Sequence, residues 1–568
     1  MRRAASDNAA MSEPAPYVFK PHERPTLPGS PANPDHPTHR RRWYFAIACL
    51  IGVTAGLGNA LITVNLPYLQ GGLGLYPDEA VWLTAAYFMT NVTANLLLVK
   101  YRQQFGLQSF VRYILAAYAL STLLHLVAHS FWTAVAVRAI SGLAGSGLTT
   151  ITILYFMQAM PPPKRLVGFM LGISIPQITT PLARAISPSL LEWGDWQMAF
   201  WFEFGLALAM LAAVMALRLP PSERSKAFEK ADFVTIALLA PGVWFLIAVL
   251  SEGRIEWWTD QPWIGWAIAA SIALITAALL LEHRREHPLI NTRWLGSREM
   301  ARLICVAASV RILLSEQVFG SVGLLNAVGM INDQMVTLNL LIVAASLLGL
   351  VAMLVTFSPK DLSRPIIISV AMIAVASFMD ASATNLTRPE NFYLSQAMIG
   401  FAAVYFIGPA MVIGIARTLL AGPKHFVSFV VLFSLSQNVG GLVGNALLGT
   451  FQTLREKYHS HELVQNIVMT DPLVAARVGA GSGAVHGVVG DPALRGAEGL
   501  ALLSQQVTRE ANILAYNDVF LLAGVLSVMA LLWGLSIRFQ MKRRGELSPI
   551  IQLQEKMQKM QQQAGTAR

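Results

Sequence analysis

Charge is scarce in this chain. Asp, Glu, Lys and Arg make up 13% of its 568 residues, against roughly 25% in an ordinary soluble domain. So few charges cannot keep a chain of this length in solution, and a mean hydropathy of +0.51 points the same way. Cysteine is nearly absent too. Cys49 and Cys305 both lie in apolar runs, which excludes a disulfide framework and a Cys-rich metal site. Catalytic signatures are also missing: the chain has no Walker loop, His-Glu-x-x-His pair, nucleophile elbow or dinucleotide fingerprint. His125 and His129 share a helix face, but no carboxylate or thiol accompanies them to complete a zinc site. An enzyme, a metal site and a bound cofactor are therefore not expected.

Apolar sequence is what the chain has in abundance, at 54%. It falls into about fourteen runs between residues 43 and 538, each near the roughly 20 residues that one bilayer crossing needs. The expected fold class is an all-α integral membrane protein. Residues 1–42 are polar and Pro-rich, so a disordered tail is expected there and no signal peptide is read. The loops alternate in charge. One set carries basic groups such as Arg40-Arg41-Arg42, Lys164/Arg165, Lys424 and Lys542/Arg543/Arg544; the other carries Asp78/Glu79, Glu192/Asp195 and Glu252/Glu256/Asp260. An even number of spans puts both termini on one side, and the basic loops place that side in the cytoplasm. The excess of 42 basic over 32 acidic residues then reflects topology, and no nucleic-acid partner is expected.

Several motifs lie in order along the chain. Trp82-Leu-Thr-Ala-Ala-Tyr87 opens the second span and Arg138-Ala-Ile-Ser-Gly142 lies early in the fourth. Asn59-Ala-Leu-Ile-Thr-Val-Asn-Leu-Pro67 ends the first, and Glu286-His-Pro-Leu-Ile290 follows the eighth. Together they resemble the major facilitator superfamily, specifically its fourteen-span drug:proton antiporters of the EmrB/QacA type and, among these, the Gram-negative EmrB branch. The resemblance implies a six-helix bundle over 43–217, two additional helices within 218–301, a second six-helix bundle over 302–540 and a cytoplasmic tail over 541–568. It implies alternating access in a bacterial inner membrane, with the proton gradient as energy source and multidrug efflux of amphipathic or aromatic, drug-like small molecules as the activity. It also implies that the long loop 452–515 meets a periplasmic adaptor (a membrane fusion protein) joined to a TolC-like outer-membrane channel. Two departures stand out. The family's first span usually carries an acid, whereas Gly58-Asn59-Ala60 has none. The fifth-span motif keeps only Pro181 and places Arg184 where the family has Gly. An exporter or uniporter without proton coupling, or a non-transporting scaffold or sensor on the same fold, stays open on these grounds.

Ionisable groups inside spans are costly in lipid and so face protein or water. Counting at 1.5 Å per residue puts Asn59, Arg138, Arg184 and Glu203 all roughly 10 Å below the outer surface. Glu203, held near Arg138 and Arg184, is the expected proton-coupling residue in place of the missing acid; the alternative is a static ion-pair network. Arg311, Glu316 and Gln317 on the ninth span, with Gln437 and Asn438 on the thirteenth, are the expected substrate-cavity residues, Glu316 with Gln317 serving either substrate or proton. Arg311 and Glu316 stand about 140° apart on their helix and need not pair. Asp380 and Arg417, nearer span ends, are expected to anchor loops, and Gly440, Gly441 and Gly444 to let helices approach. His459 and His461 are expected to be solvated, the Gly-rich Val478–Val485 to form the centre of a loop whose flanks, Thr453–Met469 and Ala497–Leu514, extend the membrane helices on either side, and the last 22 or so residues to form an amphipathic helix, solvated or alternatively bound to the membrane surface.

Overall fold

The structure is a computed structural model describing residues 29–422 and 425–566; residues 1–28 of the expected disordered tail, and Lys424, lie outside the described residues. Fourteen helices are long and apolar enough to cross a bilayer. The first bundle comprises Thr38–Val64, Pro77–Phe105, Leu107–His125, Phe131–Ala159, Arg165–Glu192 and Gln197–Ala216. Lys230–Glu252 and Pro262–Arg284 form an added pair. The second bundle comprises Arg298–Ala327, Asn332–Val355, Ser363–Asp380, Pro389–Ala421, Phe426–Gln465 and Pro492–Arg543. These are spans 1 to 14 below, and the two ends of the molecule are its basic and acidic faces, after the loops they carry. Among the described residues there is no strand, only an isolated bridge between Pro31 and Ser222.

Helix irregularities sit where the backbone chemistry requires them. Span 4 runs unbroken, whereas span 5 tightens into a 3-10 turn at Ile175–Ile178, where Pro176 has no N–H to give the ladder. Span 9 widens into a π segment over Glu316–Ser321, a feature that inserts an extra residue per turn and often marks functional positions.

Three segments differ from expectation. Residues 29–42 are ordered: Ala32 N donates to the Pro221 carbonyl at 2.8 Å, Gln158 Nε2 donates to Ala32 O at 3.0 Å, and Arg165 donates to Asn33 O at 3.1 Å. His36 and the Gln158 carboxamide meet at 2.8 Å. The tail is held because buried Gln158 and half-buried Arg165, at the facing ends of spans 4 and 5, donate to its backbone carbonyls. The helix Pro549–Thr566 docks on the second bundle: Ile550 enters the apolar core, Ser548 donates to Pro359 O, and Lys556 Nζ donates to Leu420 O at 2.8 Å. In loop 452–515 the Gly-rich stretch is itself helical, within Pro472–Ala484. A Cβ on Gly499 would strike the Val478 carbonyl and lie 2.7 Å from Ser482 Oγ, so glycine permits the two helices to lie backbone to backbone. His459 is not solvated either; it and Arg455 converge on Asp518 at 2.7 and 2.6 Å.

Spans 7 and 8 clasp the two bundles along one side. Trp244 Nε1 donates to Met89 O of span 2 at 2.8 Å, Trp258 Nε1 donates to Thr450 of span 13 at 2.8 Å, and Val243 and Ile247 share a core with Val92 and Val431. At the basic face, fully buried Asp232 receives Lys100 at 2.5 Å and Arg285 at 2.9 Å, and Arg285 also holds Glu282 at 2.6 Å. Burial works against the Arg285 charge, but its bonds to Glu282 and Asp232 outweigh that and raise its pKa above the usual value.

Replacing Asp232 by Ala strands Lys100, 13% exposed, and leaves Arg285 to Glu282 and Glu229, so a loss of about 3 kcal/mol is expected, read as a lower unfolding temperature of the purified protein. An unchanged melting curve would contradict the clasp. Burial, reinforced by Arg40, Arg41 and Arg165 against the pull of Gln158, keeps the His36 pKa below its usual value. Docking of the tail is therefore fully supported above about pH 6.5 and is lost as pH falls through the lowered folded value. Hydrogen exchange across residues 30–37, corrected for intrinsic rates, should show protection falling as the pH drops below about 6.5; His36→Gln should flatten the response.

Candidate functional site

Two buried polar groups lie in the acidic-face half of the spans, one in each bundle. In the first bundle the motifs of spans 2 and 4 meet at Arg138, which is 1% exposed. Its Nε donates to Leu83 O at 3.1 Å, Nη1 to Gly58 O at 3.4 Å and Nη2 to Asn59 Oδ1 at 2.7 Å. The guanidinium lies 4.6 Å from the centre of the Tyr87 ring, a cation–π contact that strengthens away from water. Leu83 and Tyr87 belong to the span 2 motif, so that motif supplies both a carbonyl and an aromatic face for the span 4 arginine. Asn59 acts here as a neutral acceptor.

Glu203 is also 1% exposed, but Arg138 spends its donors elsewhere and makes no ion pair with it. The partner is Tyr118, whose hydroxyl lies 2.9 Å from Glu203 Oε1 and 3.1 Å from the Thr54 carbonyl. One hydroxyl proton serves one acceptor at a time. Glu203 Oε2 and both His125 nitrogens have no hydrogen-bond partner among the described residues. Beside Arg138 and His125 is a cavity of about 20 Å³, room for a single water. Arg184 corrects the expectation. It is not beside Glu203 but reaches across to the second bundle, where Nη1 lies 3.4 Å from Asn332 Oδ1. Counting residues gives height along a helix and leaves azimuth open, and span 5 turns this residue toward span 10.

The second group centres on Gln396 of span 12, fully buried, whose Nε2 donates to Glu316 Oε1 at 3.1 Å and to Asp380 Oδ2 at 2.7 Å. Glu316 is fully buried and Asp380 is 4% exposed; no ion pair is formed by either among the described residues. Asp380 is thus not a loop anchor but half of a carboxylate pair bridged by an amide. It also lines a cavity of about 360 Å³ bounded by Ser382, Thr384, Thr387 and Asn391 beyond the acidic end of span 11. Gln317 is turned to the same helix, donating to Gln396 O at 3.0 Å.

Arg311 stands apart from Glu316, as expected, and donates to Gln437 O at 3.1 Å; a Cβ on Gly441 would come 3.1 Å from its Nη2. Gln437 and Asn438 direct their amides to Ala307 O and Ser434 O, at 3.4 and 3.1 Å, so both are engaged with backbone. Arg417 anchors at the basic end, on Glu299. Sequence pattern does not single out Tyr87, Tyr118 or Gln396 as site residues. Asp380 carries a signal, an acid at a span end, but Gln396 has no charge and only its neighbours reveal it.

Gly58 packs between the two chemistries of the first bundle. A Cβ there would meet the Tyr118 hydroxyl and lie 2.7 Å from Glu203 Oε1. Gly58→Ala is expected to cost about 1–3 kcal/mol by overpacking, whereas Gly71→Ala, with nothing within 4 Å, should leave the melting temperature unchanged. Equal melting temperatures for the two variants would contradict this packing.

Comparison with known proteins follows the same architecture. A family model described as Major Facilitator Superfamily matches residues 48–454. The chain is 26% identical over 501 residues to a multidrug resistance protein B homolog of Mycobacterium tuberculosis, covering 86% of this chain and 88% of that one. It is 21% identical over 490 residues to the multidrug export protein EmrB of Escherichia coli, covering 84% and 92%. The fold is shared with the human organic anion transporter MFSD10 (TM-score 0.51, 14% identity, covering 87% of this chain and 100% of that one). A bacterial homologue of the peptide transporters PepT1 and PepT2 is similar to the same degree (TM-score 0.51, 12% identity, 89% and 99%). With two six-helix bundles, an added pair of spans and a family match over most of its length, this multi-pass membrane protein belongs to the Major Facilitator Superfamily.

Proposed function

We propose that the protein is a proton-coupled exporter of amphipathic or aromatic small molecules. Its basic face lies in the cytoplasm, with both termini, and it resides in a bacterial inner membrane. The observation that carries this reading is the Glu316–Gln396–Asp380 cluster. Two carboxylates share one amide donor, no cation among the described residues pairs with them, and one of them borders a cavity at the acidic face. Two negative charges so placed repel each other, and a proton taken from the periplasmic side removes that repulsion. Release of the proton to the other side requires the cluster to change exposure, which is the service alternating access provides. Glu203, with Tyr118 as a hydroxyl that can turn between it and Thr54, is a second proton-carrying position in the first bundle.

The contacts between bundles suit such a cycle. Arg184–Asn332 joins them toward the acidic face, and Asn95–Ser434, at 3.1 Å, joins them toward the basic face. Both are neutral or singly charged hydrogen bonds, weak enough to break in turn. The relatives named for multidrug resistance and export support drug-like substrates. A partnership with a periplasmic adaptor and a TolC-like channel draws support from the last span's helix, about 78 Å long at 1.5 Å per residue, which outruns a hydrocarbon core of about 30 Å and carries the Pro472–Ala484 helix on its extension. The absence of an acid at Asn59 favours a second reading, export without proton coupling.

Proteoliposomes separate the two. Glu316→Gln and Asp380→Asn should each lower pH-gradient-driven transport of a drug such as ethidium at least about tenfold, a loss of roughly 1.4 kcal/mol of driving interaction, while substrate-driven exchange without a gradient persists. Full gradient-driven transport in both variants would end the proton-coupling reading and leave the uncoupled exporter.

A further inference from the structure

A cavity of about 540 Å³ opens at the basic face of the second bundle, walled by spans 9, 11, 12 and 14 and floored by the link to the C-terminal helix. Its lining includes none of Glu203, Glu316 and Asp380. The chemistry of its wall is graded. Seven basic and three acidic side chains surround it. Arg538 is paired with Asp361, Arg417 with Glu299 and Arg544 with Glu546. Arg298, Arg302, Lys360 and Lys542 line the same space with no ion pair among the described residues. All four are exposed.

One turn deeper the wall becomes apolar. Val306 follows Arg302 by four residues, Ile413 precedes Arg417 by four, and Ile367 and Ile537 face the same space. All four of these aliphatic side chains are only half-buried, so they contribute apolar surface that the bundle leaves uncovered. On the outside of span 14, Leu535 and Phe539 are 42% and 57% exposed, which sets this height at the border between hydrocarbon and headgroups. A free phosphate would engage the cations and leave the apolar wall wet. A neutral lipid would cover the wall and leave four cations unpaired. An amphiphile bearing a negative head satisfies both parts.

We propose that this cavity binds an anionic phospholipid from the leaflet at the basic face. The phosphate sits among Arg298, Arg302, Lys360 and Lys542, and an acyl chain lies along the Val306–Ile413–Ile537 wall. The floor residues Ser548 and Pro549 begin the docked C-terminal helix, so an occupied site also braces that helix against the bundle.

The test uses the purified full chain in detergent, with fluorescent phosphatidylglycerol, fluorescent phosphatidylcholine and glycerol 3-phosphate as probes. The wild type should bind phosphatidylglycerol well above phosphatidylcholine, and glycerol 3-phosphate should fail to displace it at equal concentration. The triple variant Arg298→Gln/Arg302→Gln/Lys542→Gln should bind phosphatidylglycerol more weakly by a factor on the order of 100, about fivefold per cation. A control triple variant of exposed basic residues elsewhere, Arg42→Gln/Arg112→Gln/Arg284→Gln, should lose less than about threefold, since these cations lie outside the cavity. Equal loss in the two triple variants, or equal binding of the two lipids by the wild type, would overturn the site. Displacement by glycerol 3-phosphate as effective as by whole lipid would assign the cavity to a soluble phosphate and overturn the lipid. The three wild-type measurements need no variant, so a triple variant that fails to fold leaves the proposal exposed to refutation.

Discussion

Inside a bilayer, a polar group that does not find its partner within the protein finds none, and the architecture of this chain is organised around that constraint. Water cannot make good an unsatisfied donor in hydrocarbon, so each buried charge selects the helices around it. Arg138 shows the constraint most clearly. Its three donating nitrogens reach Leu83, Gly58 and Asn59 on two other spans, and Tyr87 covers its face. Spans 1, 2 and 4 are therefore bound to one guanidinium. Gly58 is small because a phenol and a carboxylate converge where its Cβ would stand.

The same constraint separates structural from mobile chemistry. Asp232 and Arg285 are fully matched, charge against charge, and clasp the added pair of spans to span 2 at the basic face. Glu203 and the Glu316–Asp380 pair are incompletely matched, each glutamate keeping one buried oxygen without a donor. A fully satisfied network favours one arrangement, whereas a half-satisfied one has something to gain from a proton or from movement. The two kinds of site sit in different places. The matched charges lie at the basic end of the clasp; the unmatched ones lie within the bundles and, with Glu252, at the acidic end of span 7.

How much of the molecule is legible in its sequence varies with the physics of each feature. Hydropathy alone locates the spans, because the thickness of a bilayer imposes a length on every apolar run. The motifs around Trp82 and Arg138 point to the family, and the depth of Asn59, Arg138 and Glu203 comes from counting residues. Contacts around the axis do not. Arg184 has the expected height and the opposite partner, reaching Asn332 rather than Glu203. Asp380 reads as a span end and is one, yet Gln396 joins it to Glu316, far away in the chain. The tails depart from expectation for a related reason: polar composition suggests disorder, but Gln158 and Arg165 supply bonds to residues 29–37 that composition cannot register.

The amino-acid sequence by itself determined that this is a fourteen-span membrane protein of the facilitator type, with sparse charge concentrated in loops and a few ionisable residues left inside. Periodicity and hydropathy are one-dimensional quantities, and the bilayer reads them one span at a time. Only the tertiary structure decided which buried groups meet. The pairing of Glu316 with Asp380, the phenol between Glu203 and Thr54, and the basic cavity over the C-terminal helix each depend on side chains far apart in the chain, and close packing of helices alone sets the azimuth that brings them together.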